Sequence, residues 1–180
     1  MLKRICLVAA LALTLPAVAG SVNKSKVIQG NAQIGSYKLR IDPTLQGAIE
    51  IFGSPTRKWR PSGAGAWACR TRWAAEGISM YFYNLGGEDA CKPQYGNFGS
   101  ATITGKGWRT AKGLRIGDTR RKMTSLYEPR HWYGQWATLL SRITHADCSL
   151  PKGCLFPMVE AKIVNGRVAA FRVNYLAGGV

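Results

Sequence analysis

Two stretches of the sequence, residues 39–52 and 114–127, align without a gap and share a leucine, an arginine, an isoleucine and a threonine at matching positions. Each stretch predicts a short helix with one apolar stripe, because its large apolar residues recur at helical spacing. In the first stretch we expect Asp42 to cap the helix and Pro43 to occupy its first position. The stripes are formed by Leu45, Ala48, Ile49 and Phe52 in the first stretch and by Met123, Leu126 and Tyr127 in the second. The match predicts a duplicated structural unit.

Strand patterns follow each predicted helix. Residues 66–73, 78–83 and about 100–104 follow the first helix, and residues 136–143, 158–164 and 167–175 follow the second. These segments are rich in β-branched and aromatic residues and are separated by turn residues. Asn165-Gly166 between the last two is a strong hairpin signal, since both residues tolerate a positive φ. The sequence therefore predicts an α+β fold, a tandem repeat of a helix (or helix pair) packed on a three- to four-stranded antiparallel sheet.

The predicted chain organisation has five parts. They are a signal peptide (residues 1–19), a flexible N-terminal segment (20–34), a first repeat (35–104), a linker (105–113) and a second repeat (114–180). The signal peptide is indicated by Lys3 and Arg4, by the apolar run over 5–15 and by the Ala17-Val18-Ala19 cleavage pattern. We therefore expect a secreted protein of the extracellular space or cell envelope. No later apolar run is long enough for a membrane helix, so we expect no membrane insertion.

The cysteine count favours disulfides. The chain has five cysteines, and Cys6 lies in the predicted signal peptide. The other four predict disulfides in an exported protein, and four cysteines allow three connectivities. If the chain is a repeat, the simplest pairing puts one bridge in each half, Cys69 with Cys91 and Cys148 with Cys154. A zinc site is the less favoured alternative, because the spacings fit zinc poorly. We expect no bound metal and no other cofactor.

Positive charge dominates the composition. Lysine and arginine total 25 against 9 aspartate and glutamate residues, which gives a formal net charge of +16. Such a balance attracts polyanions, including nucleic acid and anionic polymers of the cell envelope. The basic residues are scattered along the chain, so a general solubilising role is the alternative.

The overall plan resembles a known family of secreted proteins. The first repeat head contains Thr44 and Gly53-Ser54-Pro55, and the second contains Gly117, Thr119, Met123 and Pro129. These heads resemble the opening of the small outer-membrane assembly lipoprotein domain. The exported chain with tandem helix-plus-sheet units resembles the β-lactamase inhibitory protein family. That resemblance implies a protein-binding scaffold without catalysis, and it does not extend to the β-lactamase target.

The sequence offers little for catalysis. Histidine is the side chain whose charge changes near neutral pH, and the chain has only two, His131 and His145. Common catalytic and phosphate-binding motifs do not occur. A secreted hydrolase that uses His131 or His145 with a glutamate is the least favoured function. The sequence therefore predicts that the protein is not an enzyme.

Aromatic and cationic residues are concentrated after the second predicted helix. We predict a binding surface formed by Arg130, His131, Trp132, Tyr133 and Trp136. Arginine beside indole suits stacking on protein hot spots, sugars or bases. The alternative is that tryptophans on strands are core residues, and it applies to Trp67, Trp73 and Trp136. The favoured partner is another exported protein, and an anionic envelope polymer or nucleic acid is the alternative.

Overall fold

Strands are the main secondary structure of the protein, and the computed structural model describes residues 25–30, 33–129, 131–141 and 154–178. Within these residues there are two α-helices, α1 (Leu45–Phe52) and α2 (Arg120–Tyr127). A 3-10 turn spans Gly65–Trp67. The strands are β1 (Val27–Gln29), β2 (Gln33–Ile34), β3 (Tyr37–Lys38), β4 (Arg57–Trp59), β5 (Ala68–Trp73), β6 (Ile78–Tyr83), β7 (Asn97–Ile103), β8 (Arg109–Thr110), β9 (Trp132–Tyr133), β10 (Trp136–Ser141), β11 (Cys154–Val164) and β12 (Arg167–Gly178).

The strands form two sheets. The larger is an eight-stranded antiparallel sheet with the order β4-β5-β6-β7-β12-β11-β10-β9, and the smaller has the order β3-β2-β1-β8. The larger sheet is continuous because β7 pairs with β12, with Ile103 opposite Phe171 and Ala101 opposite Val173. In the smaller sheet β1 runs antiparallel to β2 and parallel to β8. One sheet therefore extends across both halves of the chain.

The predicted fold class, an α+β tandem repeat of a helix packed on its own three- to four-stranded sheet, is wrong. The protein is mostly β, with an eight-stranded sheet and a four-stranded sheet. Two separate sheets would leave the edges of β7 and β12 unpaired, and their pairing satisfies those backbone groups. Each helix has only 8 residues. A helix of that length is about 12 Å long, so neither helix covers a sheet face alone.

Side chains alternate between the two faces of the eight-stranded sheet. The inner face is apolar, and one row of opposed residues crosses it, each at most 2% exposed: Trp73, Ile78, Ile103, Phe171, Ala161 and Ala137. Leu45, Ala48 and Phe52 of α1 and Met123 of α2 join the same core. Both predicted helix stripes therefore contribute buried residues to this core.

Threonine caps both helices. The Thr44 Oγ1 accepts a hydrogen bond from the Gly47 N–H at 3.0 Å, and the Thr119 Oγ1 accepts one from the Lys122 N–H at 3.2 Å. The expectation that Asp42 caps the first helix is wrong by two positions. The Asp42 Oδ1 instead accepts from the Thr44 hydroxyl at 2.6 Å and so orients the true cap. Aspartate and threonine are both common caps, so residue type alone does not separate them.

The smaller sheet combines strands from three of the predicted parts of the chain, with β3 inside the first predicted repeat. β1 and β2 lie within the predicted N-terminal segment, and β8 lies in the predicted linker. Trp108, just before β8, is 1% exposed, and its Nε1–H donates to the Glu76 carbonyl at 2.9 Å. Glu76 belongs to the turn between β5 and β6. This contact joins the smaller sheet to the larger one.

One predicted disulfide is present and joins Cys69 of β5 to Cys91 in the loop before β7. Both cysteines are buried in the hydrophobic core. The predicted Cys148–Cys154 bridge depends on Cys148, which lies outside the described residues, as does the predicted signal peptide. In the part of the chain that the structure describes, no helix has the length and apolar character that a membrane span requires.

Candidate functional site

The second face of the eight-stranded sheet, here called the outer face, carries polar, charged and aromatic side chains. One row of opposed residues across it is Arg57, Arg72, Ser79, Thr102, Arg172, Glu160 and Thr138. The next row is Trp59, Arg70, Tyr81, Ser100, Asn174 and Met158. Lys162, Trp136 and Tyr133 complete the face toward β9. Both helices pack into the core on the other side, so the outer face is the side of the sheet that solvent reaches.

A depression of about 500 Å³ lies at the centre of the outer face. Small hydroxyl side chains, Ser79, Ser100 and Thr102 of β6 and β7, form its floor. Its remaining lining includes taller side chains, namely Trp59, Arg70, Tyr81 and Asn174. Short residues between taller ones make the surface concave, and their hydroxyl and amide groups both donate and accept hydrogen bonds.

Three arginines, here called the arginine cluster (Arg57, Arg70 and Arg72), lie at one flank of the depression on β4 and β5. Arg57 is directly opposite Arg72, and Trp59 is directly opposite Arg70. All three arginines are exposed. The Arg57 guanidinium carbon lies 4.8 Å from the centroid of the Trp59 ring, within the range of a cation–π contact. This flank is therefore both cationic and aromatic.

The opposite flank contains a closed polar network around Glu160. Glu160 is only 3% exposed although it lies on the outer face. Arg172 donates to its carboxylate from Nε at 2.7 Å and from Nη2 at 3.0 Å, and Asn174 donates from Nδ2 at 2.7 Å. The Arg172 guanidinium carbon also lies 4.2 Å from the centroid of the Trp136 ring. The buried carboxylate is thus paired and hydrogen-bonded, as a buried charge must be.

Replacing Glu160 with alanine is expected to lower the free energy of unfolding by about 2 kcal/mol, because Arg172 and Asn174 lose their acceptor. The Arg172 side chain is 32% exposed, so water recovers part of the loss. Urea unfolding measures the change. Glu50→Ala, at an exposed position of α1, is the control and is expected to change stability by less than about 0.5 kcal/mol. Equal losses in the two variants would contradict the role of Glu160.

The predicted binding residues lie on both sides of the β9–β10 hairpin. Tyr133 is 81% exposed and lies opposite Trp136, on the outer face. Trp132 lies opposite Ala137, a core residue of the inner face. The Trp132 ring centroid is 4.7 Å from the Arg120 guanidinium carbon of α2. The hairpin therefore brings Tyr133 and Trp136 to the outer face and places Trp132 beside α2.

The remaining predicted residues differ in exposure, and some of them lie outside the described residues. His131 is exposed, and its carbonyl accepts from the Thr138 N–H at 3.0 Å. Arg130, and His145 of the hydrolase alternative, lie outside the described residues. The core alternative for strand tryptophans is right for Trp73, which is 2% exposed, and wrong for Trp67, which is 49% exposed.

The arginine cluster and the Glu160 network were not predicted from the sequence. One signal for the cluster was present, because Arg70 and Arg72 are two residues apart along a predicted strand and so share a face. Arg57 joins them only through the β4–β5 pairing. Glu160 and Arg172 lie on neighbouring strands of the predicted hairpin, and their contact depends on the register of that hairpin.

Arg60, next to Trp59 in the sequence, differs from the arginine cluster because it pairs with a carboxylate of the protein. Arg60 hydrogen-bonds Asp89, and the Cys91 N–H donates to the same side chain at 2.9 Å. The hydrogen bond from Arg60 is the largest cause that lowers the pKa of Asp89, and the bond from Cys91 adds to it. Arg60 is therefore neutralised within the protein.

The chemistry that the outer face supports is recognition by hydrogen bonds, charge and stacking. Its side chains include arginine donors, hydroxyls and indole rings. Among the described residues, no group of three or more His, Cys, Asp or Glu side chains is placed to hold a metal ion.

Comparisons with models of protein families, with curated proteins and with solved structures found no match to this chain. The resemblance to the β-lactamase inhibitory protein family and to the outer-membrane assembly lipoprotein domain therefore stays a prediction.

Proposed function

We propose that the protein is an exported, non-catalytic binding protein whose outer face docks an acidic surface of another protein. The observation that carries the proposal is the contrast between the two faces of one sheet. The inner face is apolar and filled, whereas the outer face is open and displays arginine, tryptophan and tyrosine. These residue types are the ones most enriched at the energetic centres of protein interfaces.

The size of the outer face supports a protein partner. Eight strands spaced by about 4.8 Å span about 34 Å, and six strand residues extend about 20 Å, so the face measures about 700 Å². A standard protein interface buries about 800 Å² on each partner. The backbone of the large sheet is already fixed by its hydrogen bonds, so little conformational freedom is lost when a partner binds.

The charge of the outer face supports an acidic partner. Among its described side chains, the cations are Arg57, Arg70, Arg72, Lys162 and Arg172, and the only carboxylate is Glu160. Complementary charge steers association and disfavours basic partners. An acidic protein surface would therefore approach this face faster than a neutral one.

Two features of the chain support export. The N-terminal residues combine Lys3 and Arg4 with an apolar run and a small-residue cleavage pattern, as secretory signals do. The Cys69–Cys91 disulfide is of a kind that persists in oxidising compartments.

The second candidate function is binding of a polyanion, such as nucleic acid or an anionic envelope polymer. It is favoured by the excess of cations over carboxylates on the outer face. A polyanion releases counterions when it binds, so the logarithm of its affinity falls steeply and linearly with the logarithm of salt concentration. A shallow salt dependence with the isolated partner would exclude this alternative.

Replacing Ser79 with tryptophan is expected to weaken partner binding about 30-fold or more, because the indole fills the depression at its floor. Ser79 is exposed there, so the fold should stay intact. Ser36→Trp is the matched control, since Ser36 is an exposed serine in the turn between β2 and β3 of the smaller sheet.

The measurement has two steps. The immobilised wild type and both variants are incubated with exported proteins from the same source, and retained proteins are identified by mass spectrometry. The partner is then purified and titrated against each variant by calorimetry. Equal affinity for the wild type and Ser36→Trp, with loss in Ser79→Trp, supports the proposal. Equal binding by Ser79→Trp, or no retained partner for the wild type, overturns it.

A further inference from the structure

The arginine cluster concentrates three positive charges on two neighbouring strands. Arg57 and Arg72 are directly opposite each other across the β4–β5 pair, where Cβ atoms are about 5 Å apart. Arg70 lies two residues before Arg72, on the same face of β5 and about 7 Å away along the strand. Like charges directly opposite on an antiparallel pair destabilise it. The cluster is therefore unfavourable for folding unless something compensates it.

No carboxylate of the described residues forms an ion pair that would offset the repulsion within the arginine cluster. The ion pairs formed among the described residues use Lys26, Arg60, Lys122 and Arg172. None of them includes a member of the arginine cluster. On the same face Arg172 is held in a two-bond contact by Glu160, which shows how a satisfied arginine is arranged in this sheet.

The position of Arg57 suits an external acceptor. Its guanidinium carbon lies over the Trp59 ring, 4.8 Å from the centroid, and such a cation–π contact does not supply a carboxylate to the guanidinium N–H groups. The N–H groups at the guanidinium edge point away from the flat face and can donate to a planar acceptor through two parallel bonds. Carboxylates have the matching geometry.

We propose that the arginine cluster is an anion-binding subsite that receives carboxylate groups from an acidic segment of the protein partner. This inference rests on the proposed function and adds the chemistry by which the partner is recognised. The subsite occupies the β4–β5 flank of the depression, and Ser79, opposite Arg72, places a hydroxyl next to it.

The distribution of cations favours an acidic protein segment over a nucleic acid. A groove that binds a nucleic-acid strand carries cations along the path of the backbone. Here the cluster lies on β4 and β5, and the floor strands β6 and β7 separate it from Arg172 and Lys162. Arg172 is already paired with Glu160. Lys162 is a single cation beyond the floor strands, so the arginine cluster is the one place on the described outer face where several cations without an ion pair lie together, as a discrete group of carboxylates requires.

The test compares two variants with the same net charge. The cluster variant combines Arg70→Gln with Arg72→Gln. The control variant combines Lys38→Gln with Arg121→Gln, which removes two charges from exposed positions on β3 and α2. A short glutamate-rich peptide is the probe, and its affinity is measured by fluorescence anisotropy at fixed salt. The peptide is expected to bind the wild type and the control variant alike and the cluster variant about tenfold or more weakly.

Three results would overturn the subsite. One is an equal loss of affinity in the two variants, because net charge would then explain it. Another is tighter binding of a single-stranded DNA oligonucleotide of equal charge, with the larger loss in the cluster variant, because the ligand class would then differ. The third is a melting temperature of the cluster variant well below that of the wild type, since removing opposed like charges should leave it unchanged or raise it.

The purified partner separates this inference from the proposed function. If Ser79→Trp loses the partner while the cluster variant keeps it, the outer face binds but the arginine cluster is not the subsite. If both variants lose the partner and the control variant keeps it, both proposals are supported. If every variant binds it as the wild type does, both fail.

Discussion

Replacing Trp108 with alanine is expected to lower the free energy of unfolding by about 3–5 kcal/mol, the usual cost of truncating a buried aromatic side chain. Trp108 is 1% exposed and is among the largest fully buried side chains. It also packs closely against the smaller sheet, because a Cβ added at Gly35 would lie 3.4 Å from its ring. Its loss opens a cavity between the two sheets and leaves the Glu76 carbonyl without the Nε1–H donor.

Guanidinium unfolding followed by circular dichroism measures this effect in three variants. Trp108→Phe keeps most of the apolar contact and loses the hydrogen bond, so we expect a smaller loss of about 1–2 kcal/mol. Trp67→Ala is the control, because Trp67 is 49% exposed, and it should cost less than about 1 kcal/mol. Similar losses of unfolding free energy for Trp108→Ala and Trp67→Ala would mean that Trp108 does not hold the smaller sheet against the larger one.

Removal of the Cys69–Cys91 bridge is expected to have the second largest effect. The two cysteines are 22 residues apart in sequence, and a closed loop of that size stabilises the folded state by about 3 kcal/mol in the chain-entropy account. Both sulfurs are also in the core, so Cys69→Ala with Cys91→Ala should lose apolar contact as well. The free energy of unfolding of this double variant is measured without reductant.

The reduced wild type provides the comparison for the disulfide. Reductant should lower the stability of the wild type by no more than the double substitution does, because the reduced cysteine side chains stay in the core. When reductant is added to the double variant, any change in the free energy of unfolding comes only from the remaining cysteines. An unchanged unfolding midpoint in the double variant would mean that the bridge contributes little to the fold.

Six of the twelve described strands, β5 to β7 and β10 to β12, overlap segments that local patterns predicted. The prediction for β6, residues 78–83, matches its observed bounds. The Asn165-Gly166 turn is present between β11 and β12, and both residues have a positive φ, 49° and 71°. On β12, Phe171 and Val173 alternate with outward-facing residues and are buried in the core. Such features depend on side chains within a few residues of one another, so the sequence contains them directly.

The register of the β11–β12 hairpin could not be predicted from residues that are close in sequence. A regular two-residue turn at 165–166 would place Glu160 opposite Phe171. The register shifts between Lys162 and Ile163, and Glu160 instead lies opposite Arg172. That one-residue shift moves the carboxylate from the level of a core residue to its ion-pair partner. The Glu160 network therefore exists because of an irregularity that turn residues do not predict.

The candidate site was predicted only in its contiguous part. The aromatic stretch after the second helix does place Tyr133 and Trp136 on the outer face. The arginine cluster could not be assembled in the same way, because Arg57 and Arg72 meet through a pairing between strands separated by a long loop. The residue types alone indicated that the protein binds a partner. The positions of those residues on the sheet could be found only from the strand order.

By itself the sequence determined the helix stripes and the alternation of the strands that it predicted, and it left the pairing of Cys69 with Cys91 as the simplest of three possible connectivities. Only the tertiary structure decided that β7 joins β12 in one sheet and that β1, β2, β3 and β8 form a second one. The physical reason is the distance along the sequence over which each feature is determined. Helical and strand periodicity are properties of neighbouring residues, but backbone edges pair with whichever distant edge satisfies their hydrogen bonds and buries the adjoining apolar face.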